Sequence, residues 1–403
     1  MPRMLLTPSQ PSLLYHIDMD TFFVSVERLM DAGLNNRPVI VGGSPFQRGV
    51  VAGCSREARV YGIHSAMPLR QAYQLCPQAV FLHPHFVHYA EYSERITEIF
   101  VDAAPLVEKA SIDEFYIDVS GCERAFRKNL FDWGKDMKRT IMGELGLPLT
   151  FGLAKNKLVA KVATNVAKSI GDLFVPPGTE QPFLAPHRIR LLPGVGKVME
   201  PELHAMGIRL IGDIARIPER MFVHIYGKHG KSLHEHSRGI DFSPVVPYRK
   251  QKSCGAEHTF DEDTLNIQDM LATLQHLAMR VGRDLRKHTF LTDTITLKLR
   301  YADFVTQTKT LRCDYTNYDM QIYAVAEKLF RQLWTRRVRV RLLGISTTNF
   351  IEDVAQTYLF PDEHKKQERL YDAIDGIQKK FGRDAITYAA VQEQRRSAMG
   401  QAA

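Results

Sequence analysis

Leu13-Leu14-Tyr15-His16-Ile17-Asp18-Met19-Asp20-Thr21-Phe22-Phe23 and, nearly a hundred positions later, Ser111-Ile112-Asp113-Glu114-Phe115-Tyr116-Ile117-Asp118 decide how this chain reads. Leu13 to Ile17 has the length and apolar character of a buried strand, ended by Asp18-Met19-Asp20. Phe22, Phe23, Val26 and Leu29 then recur at helical spacing, with Asp20 placed to cap that helix. Val107 to Ala110 and Phe115 to Val119 read as two strands with Ser111 to Glu114 as their turn. Adjacent strand residues face opposite sides, so Asp113 and Glu114 converge on one site only where the chain turns. Three carboxylates from two segments make a hard, oxygen-rich cage that suits Mg²⁺ or Mn²⁺ rather than Zn²⁺. Two such ions about 3.5–4 Å apart can stabilise both the attacking and the leaving oxygen of a phosphoryl transfer. A lone Asp-Glu pair is usually an ordinary solvated turn. Asp18 sits between apolar Ile17 and Met19, and a buried carboxylate is costly without a cation beside it.

Outward from these segments, Pro38 to Gly43 reads as a strand closed by glycines, Gly49 to Ala52 as another, and Arg56 to Tyr61 as a helix ending at Gly62. Thr150 to Ala154 is a strand that feeds a helix through Leu158, Val162 and Val166. Strands mixed with helices up to about residue 175 predict an α/β catalytic domain. From 176 to 245 the pattern is short and helical, with a glycine turn at Leu191-Leu192-Pro193-Gly194-Val195-Gly196-Lys197. Pro244 to Pro247 marks a linker. From 253 to 350 two long helices (about 268–287 and 318–336) alternate with strands at 294–299, 305–311 and 341–347, a separate α+β domain. Leu370, Ile374, Ile377 and Phe381 give one amphipathic helix near the end.

A chain of 403 residues predicts several domains. The net charge of +8 suggests a polyanionic partner. Most of it falls between Arg249 and Arg341, where 17 Lys or Arg face 11 Asp or Glu, a surplus of 6. Composition alone admits either a nucleic-acid surface or a solvated basic face. No run of 18 apolar residues suggests a membrane span, and Met1-Pro2-Arg3-Met4-Leu5-Leu6 lacks the stretch of a secretory signal. The five cysteines are scattered without CxxC spacing, which argues against a zinc site or disulfide framework and fits a reducing compartment.

The segment His16 to Phe23, the segment Ser111 to Asp118 and Gly152-Leu153-Ala154-Lys155-Asn156-Lys157 resemble the signature segments of Y-family translesion DNA polymerases, in their bacterial DNA polymerase IV (DinB) group. The match is ordered and runs from about residue 12 to 350. It implies a right-hand polymerase: palm at 1–29 and 86–175, fingers at 30–85, a helix-hairpin-helix thumb at 176–245, a linker at 246–252, an additional little-finger domain at 253–350, and a tail at 351–403. It implies low-fidelity, template-directed synthesis past damaged bases. Asp18, Asp113, Glu114 and the Met19 carbonyl would hold two Mg²⁺ ions, with Mn²⁺ as a substitute. The helix start at Asp20 to Phe23, Arg56, Arg59 and Lys168 would bind the triphosphate. Arg56 is a departure, since tyrosine is usual there, but its guanidinium can grip phosphate. Phe23 would be the steric gate against a 2′-hydroxyl, while Phe22 belongs to the core. Gly53, Cys54 and Ser55 would form a small roof over the nascent pair.

The same resemblance implies phosphate contacts at Gly194, Gly196 and Lys197 and at Arg331, Arg336, Arg337, Arg339 and Arg341, with Thr306, Thr308 and Thr310 sharing one strand face. Gln356-Thr357-Tyr358-Leu359-Phe360 resembles a sliding-clamp peptide in Gln356, Leu359 and Phe360, with Thr357 in place of the common apolar residue. Leu359 and Phe360 could equally pack on the following helix. The implied setting is a monomer at the nucleoid in the bacterial cytoplasm, with primer–template DNA, deoxynucleotide and clamp as partners. Two other readings compete. A non-catalytic, polymerase-like accessory protein would have lost the three acids. A two-metal nuclease gives no reason for Phe23, Arg59 and Lys168 to stand where they do.

Overall fold

The first apolar run forms β1 (Leu14–Met19), buried along its whole length. Asp18 thus lies inside the strand, not after it. The computed structural model describes residues 12–353, 362–382, 385–389 and 391–392. They divide into two units between Arg249 and Lys250. Among the described residues no helix is long and apolar enough to cross a membrane.

In the first unit, β2 (Val39–Val41), β3 (Gly53–Cys54) and β4 (Val80–Leu82) form a small sheet in the order β3-β2-β4. The strand expected at Gly49 to Ala52 is displaced to β3. Val51 bonds through its backbone to Ala66 and Met67, which takes it out of the ladder. β5 (Leu106–Lys109), β6 (Glu114–Asp118), β7 (Leu149–Ala154) and β8 (Leu173–Phe174) join β1 in the order β5-β6-β1-β7-β8. β1 is central and antiparallel to both neighbours. Helices cover both of its faces, so polar His16 and Asp18 are buried along with apolar Tyr15 and Ile17. Tyr15 and Ile17 pack into a core with Phe100, Phe115, Ile141 and Phe151, supplied in part by α1 (Phe22–Met30), α2 (Phe86–Ala103) and α3 (Leu130–Leu145).

The opposite face carries α4 (Lys157–Ile170), which Asn156 caps by accepting from the Val159 N–H at 2.9 Å. Gly152 sets how closely this helix approaches. A Cβ there would lie 2.5 Å from the Ala160 carbonyl oxygen and 2.6 Å from the Thr164 nitrogen, both backbone atoms that cannot step aside. Gly152→Val is therefore expected to cost about 3 kcal/mol, the upper end for an overpacked core. An unshifted denaturation midpoint would show that the helix does not sit this close.

Glu108 on β5 is 4% exposed and accepts from Lys157 Nζ at 2.7 Å, the Val246 N–H at 2.7 Å and Arg249 at 2.8 Å. A carboxylate so buried survives only with such partners. The opening residues of the expected linker are thereby held on the first unit.

In the second unit, β9 (Ser253–Thr264), β10 (Phe290–Tyr301), β11 (Thr306–Thr316) and β12 (Val340–Glu352) form an antiparallel sheet in the order β11-β10-β12-β9. α5 (Ile267–Lys287) and α6 (Asp319–Leu333) bury Leu274, Leu277, Val281, Ile322 and Phe330 with Ile295, Leu297 and Leu343 of the sheet. The register puts Thr306, Thr308 and Thr310 opposite Arg300, Lys298 and Thr296, all on the other face. α7 (Asp362–Phe381) follows, and its Asp375 accepts from Arg286 at 2.7 Å.

Candidate active site

Strand register brings the acids together. Asp18 on β1 pairs directly with Glu114 on β6. Asp113 lies at the tip of the β5–β6 hairpin, and its carbonyl accepts from the Met19 N–H at 3.0 Å. Ser111 shapes the tip: its hydroxyl donates to Asp113 Oδ1 at 2.6 Å and accepts from the Glu114 N–H at 3.0 Å. Below, α4 turns Lys161, Thr164 and Lys168 to the same sheet face, as spacings of three and four residues require. Lys168 Nζ lies 2.8 Å from Asp18 Oδ2, and Lys161 Nζ lies 2.6 Å from Glu114 Oε2. The Thr164 hydroxyl donates to the His16 carbonyl at 2.9 Å.

The electrostatics follow from that crowding. Burial pushes the Asp18 carboxyl up, Lys168 opposes this, and the negative charges of Asp113 and Glu114 add to it. Glu114 is pulled below the usual carboxylate range, with His16 and Lys161 beside it. His16 Nε2 is 3.8 Å away, too far for a hydrogen bond, and its own burial disfavours protonation. The Lys161 ammonium is therefore the contact that holds Glu114 ionised.

Among the described residues, no three His, Cys, Asp or Glu are gathered into a finished metal cage. Asp18 and Glu114 face ammonium groups and Asp113 faces a hydroxyl. The donor set nevertheless fits Mg²⁺ or Mn²⁺. It is all oxygen, it includes a carboxylate raised by burial and further by two neighbouring acids, and two of its members already hold a cation.

The segment expected to seat phosphate differs from expectation in one respect. Asp20 does not cap α1. Thr21, at φ 47°, stands at that position, and its hydroxyl meets that of Ser25 at 3.3 Å without capping a backbone N–H. The Asp20 carboxylate instead accepts from the Thr150 hydroxyl at 3.0 Å and pairs with Arg56 at 3.0 Å, while its N–H donates to Pro148. Thr21, Phe22 and Phe23 remain at the helix start. The Phe22 ring is core, 3% exposed, whereas Phe23 is half-buried beside β3. Arg59 is exposed, with its guanidinium close enough to the buried Cys54 thiol to oppose the upward push of burial.

The chain matches the model of the impB/mucB/samB family over residues 17–165 and that of the family's C-terminal domain over 251–359. It is 40% identical over 335 residues to a DNA polymerase IV of Listeria welshimeri, covering 83% of this chain and 94% of that protein. It is 38% identical over 369 residues to one of Dehalococcoides mccartyi, covering 91% and 94%. A solved Y-family DNA polymerase chimera, Dbh-Dpo4(243-245)-Dbh, superposes with a TM-score of 0.76 at 26% identity over 84% of this chain and 99% of that one. The chain belongs to the Y-family DNA polymerases, DNA polymerase IV group.

Residues 190–241 of this Y-family chain match a DNA polymerase-iota thumb-domain model. Within them Gly194 takes φ 101° and the Glu200 N–H bonds back to Gly196, which gives the turn before the helix Met199–Ala205. Lys197 is exposed in that turn. In the second unit the arginines fall into two sets. Arg331 pairs with Glu327 at 2.6 Å, Arg336 with Asp303 at 2.6 Å, and Arg341 lies 3.8 Å from Asp263. Arg337 and Arg339 are exposed. Gln356, Leu359 and Phe360 lie outside the described residues. Sequence reasoning did not single out Lys161, Thr150 or Ser111. Of these only Lys161 had a local signal, its seven-residue spacing from Lys168.

Proposed function

We propose that this protein is a template-directed DNA polymerase that adds deoxynucleotides to a primer 3′-hydroxyl with low fidelity and continues past damaged bases. The observation that carries the reading is the pairing of Asp18 with Glu114 beside the Asp113 tip, with Lys168 on the same sheet face. Asp18, Asp113, Glu114 and the Met19 carbonyl would hold two Mg²⁺ ions, replaceable by Mn²⁺. When bound, such ions stabilise the entering and departing oxygens of the phosphoryl transfer. The chain's own part is positioning and charge. Lys168, Arg59, Arg56 and the start of α1 seat the triphosphate. Phe23 closes the space a 2′-hydroxyl would need. Gly53, Cys54 and Ser55 leave room above the base pair, so a distorted base is admitted and a wrong one is poorly rejected.

The palm, fingers, thumb and little finger would occupy the ranges expected from the sequence. Gly194, Gly196 and Lys197, and Arg331, Arg336, Arg337, Arg339 and Arg341, would contact the DNA backbone, giving sequence-independent, salt-sensitive binding. The chain would act as a monomer at the nucleoid in the bacterial cytoplasm. Primer extension on intact and damaged template tests the reading: extension supports it, binding without synthesis would indicate an accessory protein, and degradation a nuclease.

The tail would tether the enzyme to a sliding clamp through Gln356, Leu359 and Phe360. Deleting 356–360 is expected to remove roughly tenfold or more of clamp stimulation, because tethering acts through effective concentration, and to spare basal extension. Undiminished stimulation would leave the tail without this role.

A further inference from the structure

A steric gate discriminates only if its ring cannot retreat, and the ring of Phe23 is backed by another. Tyr89, fully buried on α2, stacks on it with centroids 4.4 Å apart and planes 19° from parallel. Phe86 meets Phe23 edge-on at 6.1 Å. On the β3 side a Cβ at Gly53 would lie 3.4 Å from Phe23. What fixes Tyr89 is Glu27. It lies one turn beyond Phe23 on α1, is 3% exposed, and its carboxylate accepts from the Tyr89 hydroxyl and from His85 Nδ1 at 2.9 Å. A hydroxyl bonded to a buried carboxylate is among the stronger protein hydrogen bonds. A carboxylate this buried is expensive unless bonded, so the link is held from both ends.

We infer that Glu27 is a positioning residue for sugar selection: by holding the Tyr89 hydroxyl, it keeps the Tyr89 ring against Phe23 and denies the gate room to yield to a 2′-hydroxyl. Glu27 acts only through Tyr89. Repulsion between atoms rises steeply over tenths of an ångström, so even a small retreat of the gate relieves most of the clash. The inference rests on Phe23 being the gate.

The test is the ratio of kcat/KM for a ribonucleotide to that for the matching deoxynucleotide in the full chain with primer–template. Tyr89→Phe removes the donor and keeps the ring. Glu27→Leu removes the acceptor. Each is expected to raise the ratio about fivefold, the worth of one buried hydrogen bond. The double variant should rise no further, because both changes cut one link. Glu27→Gln keeps an accepting oxygen and should stay within about twofold of the wild type. A merely structural role would lower both kcat/KM values together and leave the ratio fixed, which overturns the inference. Should Glu27→Leu fail to fold, Tyr89→Phe decides alone. Phe23→Ala separates the two layers. If it opens the site and the others do not, only the role of Glu27 falls. If Phe23→Ala leaves the ratio unchanged, the gate falls and this inference with it.

Discussion

Asp113→Ala is expected to reduce primer extension by about a thousandfold or more while leaving DNA binding close to that of the wild type. The asymmetry follows from how the residue is held. Its carbonyl accepts from the Met19 N–H, and that bond survives the substitution because it belongs to the backbone. Among the described residues its side chain bonds only to Ser111, at the hairpin tip, and it lies outside the hydrophobic cores. Its loss removes charge at the proposed metal site without removing packing. The DNA surfaces proposed for the thumb and little finger lie on other elements. Extension with Mg²⁺ and deoxynucleotides, beside fluorescence anisotropy with labelled primer–template, measures the two quantities separately. A variant that still extends at near wild-type rate would remove Asp113 from the metal set.

Phe23→Ala is expected to raise ribonucleotide use relative to deoxynucleotide use by roughly a hundredfold. Phe22→Ala should behave differently. The Phe22 ring is 3% exposed in the main core, so truncating it costs about 3–5 kcal/mol of stability rather than selectivity. Phe23 is half-buried and packs mainly on Tyr89 and Phe86. Competition between ribo- and deoxynucleotides, with melting temperatures of both variants, distinguishes them. Equal sugar selection in the wild type and Phe23→Ala would withdraw the gate.

Much of this was legible before any coordinates, for a local reason. The Asp113-Glu114 turn is flanked by two short apolar strands, and a turn is the one place where adjacent acids can share a site. Phe22 was readable as core, whereas the gate role of Phe23 came from the family resemblance. The two long helices of the second unit showed their period, and their bounds fell within a few residues. What stayed hidden was non-local. Asp20 looked like a cap because capping is a local preference. Its partners, Thr150 and Arg56, are 130 and 36 positions away. Lys161 meets Glu114 across 47 positions, and no periodicity reports that. β9 was missed because most of its residues are exposed, which leaves little apolar alternation to read. Among the arginines near residue 335, the Glu327–Arg331 pair was visible as an i, i+4 spacing. Arg336 and Arg341 meet acids brought in by the fold.

The opposed carboxylates near the end of β1 and at the start of β6 set a trap for anyone who would harden this protein against heat. Like charges facing each other across strands destabilise a sheet, and a buried acid is a poor choice for packing. A search that rewards melting temperature alone would therefore favour an amide or an apolar residue at Asp18, whose carboxyl burial pushes up, while keeping Glu114, which Lys161 holds ionised. The sturdier molecule would be inert.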